Sequence, residues 1–161
     1  MEIELFRTNS DDPGFRSLVA LLDAELAERD GAEHEFFARF NKIDSIRNVV
    51  VARWNGTAVG CGAFKPFDSE TAEIKRMFVM PDQRGRRIAA VILDELETWA
   101  AELGFVAALL ETGYGQPEAI RLYERSGYAR IPNFGQYSGV ASSVCFSKRF
   151  SDGRSEMRNR D

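Results

Sequence analysis

Met80-Pro81-Asp82-Gln83-Arg84-Gly85-Arg86-Arg87-Ile88-Ala89-Ala90 joins two segments of different period. Before it, Glu73-Ile74-Lys75-Arg76-Met77-Phe78-Val79 has the composition of a strand, and after it a strongly periodic helix starts near Ile88. The first turn of a helix carries N–H groups with no intrahelical acceptor, and the macrodipole adds partial positive charge there. Gly85 lets the backbone curl closely round a ligand, and Arg84, Arg86 and Arg87 add charge-assisted donors. A merely solvated charge run is a poor explanation, because cations are unfavourable at a helix N-terminus unless an anion joins them. The turn is therefore expected to hold the pyrophosphate of a nucleotide-like cofactor.

Outward from this turn, the pattern gives a meander on one side and a crossover on the other. Ile3 to Phe6 alternates as a first strand, and Asn9 to Asp12 supplies N-caps ahead of Pro13. Phe15, Leu18, Val19, Leu22 and Leu26 then mark an amphipathic helix ending near Gly31. Glu33 to Phe40 reads as a second, shorter helix, followed by a loop from Asn41 to Ser45. Asn48 to Trp54 and Thr57 to Phe64 form a hairpin about Asn55-Gly56, with Gly60 and Gly62 thinning one face. Ala72 to Met80 is the fourth strand.

Beyond the turn, Ile88, Val91, Ile92, Leu96, Trp99, Ala100 and Leu103 make one face of a long helix closed by Gly104. Phe105 to Leu110 is continuously apolar, as buried parallel strands are. A helix from Pro117 to about Ser126 follows, then strands at Tyr128 to Ile131 and Ser143 to Phe150. The order β-α-α-β-β-β-α-β-α-β-β, with one parallel crossover, predicts an α/β (mixed α+β) fold with helices on both sheet faces. One domain is expected over residues 1–150, with a polar, disordered tail over 151–161.

Composition narrows the function. With 44 % apolar residues, 12 Phe and 2 Trp, the chain has the material for a packed core. A net charge of −4 disfavours a general nucleic-acid binder and makes the arginine cluster a local feature. Cys61 and Cys145 lie in apolar strand-like runs without a C-x-x-C partner, and His34 is the single histidine, so no ordinary zinc site can be assembled. Buried reduced thiols and no metal are expected. The charged N-terminus has no signal-peptide core and no apolar run reaches membrane-spanning length, so no membrane partner and a soluble cytoplasmic protein are expected.

Strand-P-x-x-R-G-x-x-I-A-helix, followed by Q-P-E-A-I-x-L-Y-x-x-x-G-Y, resembles the GNAT superfamily of N-acetyltransferases over roughly Ile3 to Phe150. The resemblance implies a central, mostly antiparallel seven-stranded mixed sheet with about four helices, splayed between its fourth and fifth strands. It implies acetyl-CoA as cosubstrate and a small-molecule or peptide amine as acceptor, and it is compatible with a homodimer. The family motif Q/R-x-x-G-x-G/A maps to Arg84-Gly85-Arg86-Arg87-Ile88-Ala89, with Arg87 where the middle glycine is usual. A side chain there either crowds the pyrophosphate or donates to it. On the family pattern, Met77, Phe78 and Val79 pair with the pantetheine through their backbone. Gln116 falls where an asparagine often lies near that arm, and Tyr123 on the tyrosine that commonly protonates the departing thiolate.

Acetyl transfer to an amine requires a neutral amine, whereas an alkylammonium with a pKa of about 10.4 is roughly one part in a thousand neutral near pH 7. It also requires a stabilised oxyanion, for which the family uses a backbone N–H in a bulged fourth strand, and a protonated leaving thiolate. Glu73 matches a position that serves as general base in some family members; its bland role is pairing with Lys75 on a solvated sheet face. Glu111, at the C-terminal end of the fifth strand, is a second candidate, and a water chain a third. Tyr123 has packing against the core as its bland role. The first two helices usually border the acceptor pocket in this family, which brings in Glu33, His34, Phe37 and Asn41. The stretch Asn133 to Tyr137 lines the acceptor site or is an ordinary hairpin loop. Net acidity mildly suits a cationic acceptor. The rival functions are a catalytically silent acyl-CoA-binding module and a nucleotide binder of another fold; the second lacks both G-x-x-x-x-G-K-[ST] and G-x-G-x-x-G.

Overall fold

The computed structural model describes residues 2–30 and 45–151. The expected helix at Glu33 to Phe40, the acceptor residues Glu33, His34, Phe37 and Asn41, and the tail beyond Ser151 lie outside the described residues.

The elements run β1 (Glu4–Thr8), α1 (Pro13–Asp30), β2 (Asn48–Trp54), β3 (Thr57–Pro66), β4 (Thr71–Val79), α2 (Ile88–Glu102), β5 (Ala107–Gly113), α3 (Pro117–Arg125), β6 (Ala129–Ile131) and β7 (Ser143–Arg149). They build one seven-stranded sheet in the order β1-β2-β3-β4-β5-β7-β6. Every neighbouring pair is antiparallel except β4 and β5. The mixed sheet matches expectation; the described residues hold three α-helices where about four were expected.

Local chemistry explains the elements. Asp12 Oδ1 accepts the Phe15 N–H at 3.0 Å, so Asp12 caps α1 with Pro13 in its first turn. Asn55 and Gly56 both have positive φ, 51° and 79°, which gives the β2–β3 turn the twist of its flanking strands. Helix α1 packs Phe15, Leu18, Val19 and Leu22 on Val49, Val51, Cys61 and Ala63 at one sheet face. Helix α2 packs Ile88, Ile92, Leu93, Leu96 and Ala100 on the other, with Val50, Ala52, Phe64 and Ile74.

Gly62 is what lets α2 lie so close. A Cβ there would meet Met77 Sδ at 2.5 Å and Leu96 Cδ1 at 2.8 Å. Overpacking of that kind costs about 1–3 kcal/mol. The buried face of α2 is rotated from the expected one. Leu93 is buried, while Val91 and Leu103 are exposed, so the stripe follows Ile88-Ile92-Leu93-Leu96-Ala100. Trp99 sits at its margin, edge-on to Phe64 at 5.7 Å and beneath the Arg7 guanidinium. Cys61 and Cys145 are both free thiols and buried, as expected.

Candidate active site

Strands β4 and β5 pair over only three residues, Thr71 with Ala107, Ala72 with Ala108 and Glu73 with Leu109. Beyond Glu73 they part, while β4 continues along β3 and β5 along β7. The parting opens a cavity of about 930 Å3, floored by β4 and β5 and walled by α1, the arginine turn and α3. Backbone polar groups on the facing edges of β4 and β5 have no strand partner across it, which is where an extended ligand can add as a strand.

A bulge shapes the β4 side of the opening. The β3–β4 register slips between Cys61 and Ala63, and Arg76 has φ of 61°. One extra residue turns two neighbours to the same face. Lys75 Nζ lies 3.7 Å from Glu73 Oε2, and Arg76 Nη1 donates to Asp23 Oδ1 of α1 at 2.7 Å. Cys61 Sγ donates to the Arg76 carbonyl at 3.4 Å and so ties the bulge to β3. The bulge expected in this strand is present.

The Glu73–Lys75 pair therefore exists, but not on a solvated face: both side chains are more than nine-tenths buried at the cavity wall. Burial pushes the Lys75 ammonium below the usual lysine range, with the Glu73 charge opposing it. Glu111 lines the cavity from β5 and accepts the Ser143 hydroxyl at 2.7 Å. It is not at the strand end, because pairing with β7 carries β5 on through Gly113.

Tyr123 lies in α3, buried, with its ring against Tyr128 and Phe146, and it lines the cavity. Burial, then the nearby Glu111 charge, raises its phenol above the usual tyrosine range. The phenol therefore holds its proton at neutral pH, as a weaker acid than a free tyrosine. Of the stretch from Asn133 to Tyr137, Tyr137 alone reaches the cavity; it is 2 % exposed, and burial followed by the charges of Glu111 and Glu73 raises its phenol as well. Gln116 lines the cavity just ahead of α3.

The arginine turn follows one 3-10 turn at Pro81–Gln83. Gly85 has φ of 82°, and Arg87, with φ of 65°, is the residue preceding α2. The position where the motif usually has glycine thus takes a left-handed backbone that an L side chain adopts at a cost of about 1–2 kcal/mol. Gln83, Arg84, Gly85, Arg87, Ile88 and Ala89 line the cavity, whereas Arg86 does not. Arg84 Nε donates to the Val79 carbonyl at 2.9 Å and Nη2 to Glu25 Oε2 at 2.8 Å. The opening thus brings Glu73, Glu111, Tyr123, Gln116, Met77, Phe78, Val79 and most of the turn round one space. Among the wall residues, Arg76 and Gln83 had no role in the sequence reasoning, and Lys75 only that of pairing with Glu73. No periodicity announces a bulge, so nothing marked Lys75 and Arg76 as neighbours on one face.

The acetyltransferase (GNAT) family model matches residues 15–128. The IAA acetyltransferase of Azospirillum brasilense is 46 % identical over 101 residues, covering 62 % of this chain and 65 % of that protein. The chain thus spans less than two thirds of the length of that curated relative. A Klebsiella pneumoniae structure assigned as an acyl-CoA N-acyltransferase superposes with a TM-score of 0.78 at 27 % identity, over 92 % of this chain and 98 % of the other. A GNAT family acetyltransferase from Elizabethkingia anophelis, solved with acetyl-CoA bound, shares the fold with a TM-score of 0.65 at 16 % identity, over 92 % and 98 % of the two chains. With the family model spanning the bulged strand, the arginine turn and Tyr123, the chain belongs to the acetyltransferase (GNAT) family.

Proposed function

We propose that this chain moves the acetyl group of acetyl-CoA to a primary amine by direct attack within a ternary complex. The observation that carries the proposal is the parting of β4 from β5 beyond Glu73, next to a helix start lined by Arg84 and Arg87. An extended pantetheine arm satisfies the free edge of β4 at Met77, Phe78 and Val79, and its pyrophosphate suits the turn at 84–89. Gln83 Oε1 is buried without a hydrogen-bond partner among the described residues and offers an acceptor to the cosubstrate. Gln116 is placed to touch the arm from the far wall. The acetyl-CoA bound by the Elizabethkingia protein of the same fold supports this choice of cosubstrate.

In the proposed step, Glu73 accepts a proton as the ammonium becomes a neutral amine. The amine nitrogen attacks the thioester carbonyl, a backbone N–H of bulged β4 donates to the oxyanion, and the C–S bond breaks as the C–N bond is completed. Tyr123 gives its proton to the departing thiolate, and the second proton shed by the tetrahedral nitrogen returns the phenolate to phenol, leaving one net proton on Glu73. Glu111 is the second candidate base, and its engagement by Ser143 favours Glu73 over it.

Thiol release from acetyl-CoA, followed with a panel of primary amines and with mass detection of the N-acetyl product, tests the proposal. Amine-dependent release with one product per thiol is expected. Acetyl-CoA uptake without release for any amine would instead identify a silent acyl-CoA-binding module.

A further inference from the structure

The Arg76 side chain is 2 % exposed, and its Nη1 donates to the Asp23 carboxylate at 2.7 Å. Nη2 is buried and has no hydrogen-bond acceptor among the described residues. Asp23 is half exposed, so water competes for it, and it satisfies one of five guanidinium N–H donors. A buried cation with an unmatched donor is unfavourable unless something else fills it. Arg76 also holds a left-handed backbone that a non-glycine residue adopts at a cost, and it lines the cavity beside Glu73. Without the bulge, Arg76 would face α2 and its apolar core. The strained conformation thus delivers a second cation, next to Lys75, to the face that carries the candidate base.

We infer that the acceptor is an amino acid-like molecule, its amine at Glu73 and its carboxylate gripped by Arg76, with Lys75 adding positive charge. The inference rests on the acetyl-transfer proposal above. A guanidinium fork matches a carboxylate, and Nη2 supplies one arm of that pair. A single negative charge suits the wall, where Glu73 and Glu111 would repel a dianion. The net acidity of the whole chain pointed instead to a cationic acceptor, but the charges that a substrate meets are those of the cavity.

The test compares kcat/KM of the unmodified protein for the twenty free amino acids with that for their carboxamides, by thiol release. For the side chains that are accepted, the acid is expected to exceed its amide by about 10- to 100-fold, the worth of a hydrogen bond to a charged group. Arg76→Gln should remove that preference, mainly through KM for the acid, and Arg76→Lys should restore part of it. Amides or simple amines used as well as the acids would overturn the carboxylate inference and leave acetyl transfer standing. No release with any acid or amide, while a simple amine is used, would overturn the carboxylate inference alone; no release with acids, amides or simple amines, in a protein that binds acetyl-CoA, would remove both. The comparison in the unmodified protein decides even if the Arg76 variants do not fold.

Discussion

Arg84 Nε donates to the Val79 carbonyl at 2.9 Å, which fastens the arginine turn to the last residue of β4. The same guanidinium reaches Glu25 of α1 and lies over the Phe78 ring, so one side chain ties the turn, the strand and the first helix together. The phosphate end and the thioester end of the proposed site are thereby held in one rigid frame.

Arg84→Ala and Arg87→Ala are expected to raise the acetyl-CoA KM by about tenfold or more, as loss of a charge-assisted hydrogen bond would. Arg86→Ala should do less, because Arg86 does not line the cavity. Initial rates over a range of acetyl-CoA concentrations check this. Equal, negligible effects of all three would remove the phosphate role.

Arg87→Gly should stabilise the fold by about 1 kcal/mol, since glycine takes a φ of 65° without steric cost. Arg87→Ala should give no such gain. Urea unfolding of the two variants separates backbone relief from loss of the side chain.

Tyr123→Phe should lower kcat by about 100-fold or more while leaving acetyl-CoA affinity nearly unchanged, as removal of a general acid does. Glu73→Gln should lower kcat by about 100-fold with little change in the acetyl-CoA KM. Unchanged turnover in Glu73→Gln, with its loss in Glu111→Gln, would move the base to β5.

Stability should fall in alkali. Burial pushes the Cys61 thiol from 9.0 up to about 12, and it also raises the phenols of Tyr123, Tyr128 and Tyr137. Each group keeps its proton longer in the folded than in the unfolded chain. Its contribution is therefore complete below the unfolded pKa and is lost as pH rises towards the folded one. Unfolding midpoints are expected to decline above about pH 9, with Cys61→Ala flattening the first part of the decline. In the native state Cys61 should resist thiol reagents at pH 8 and react once unfolded.

Most of the architecture was legible in the sequence because its signals were local. The Asn55-Gly56 turn, the cap at Asp12 ahead of Pro13 and the helical period of α2 each report conformation within a few residues, although the buried face of α2 is turned from the expected stripe. Strand ends were less legible. The polar segment Glu111-Thr112-Gly113 belongs to β5 only because β7 pairs with it, and that pairing joins residues 111 and 145. The arginine turn was read from its charge at a helix start, and Tyr123 through a motif. Lys75 was named only as the partner of Glu73, and Arg76 was not found, because a bulge is set by the slip between β3 and β4 and leaves alternation in the sequence looking intact. Tyr137 was named only within a stretch, since its approach to the cavity depends on how the β6–β7 loop folds back, with Asn133 Nδ2 donating to the Val140 carbonyl at 2.8 Å.

Calorimetric titration of acetyl-CoA into the folded chain bears most directly on whether the parted sheet and its arginine turn form a coenzyme site. One-site uptake is expected, weakening with added salt and by about tenfold in Arg84→Ala. No heat of binding at millimolar acetyl-CoA, from protein that remains folded, would contradict it.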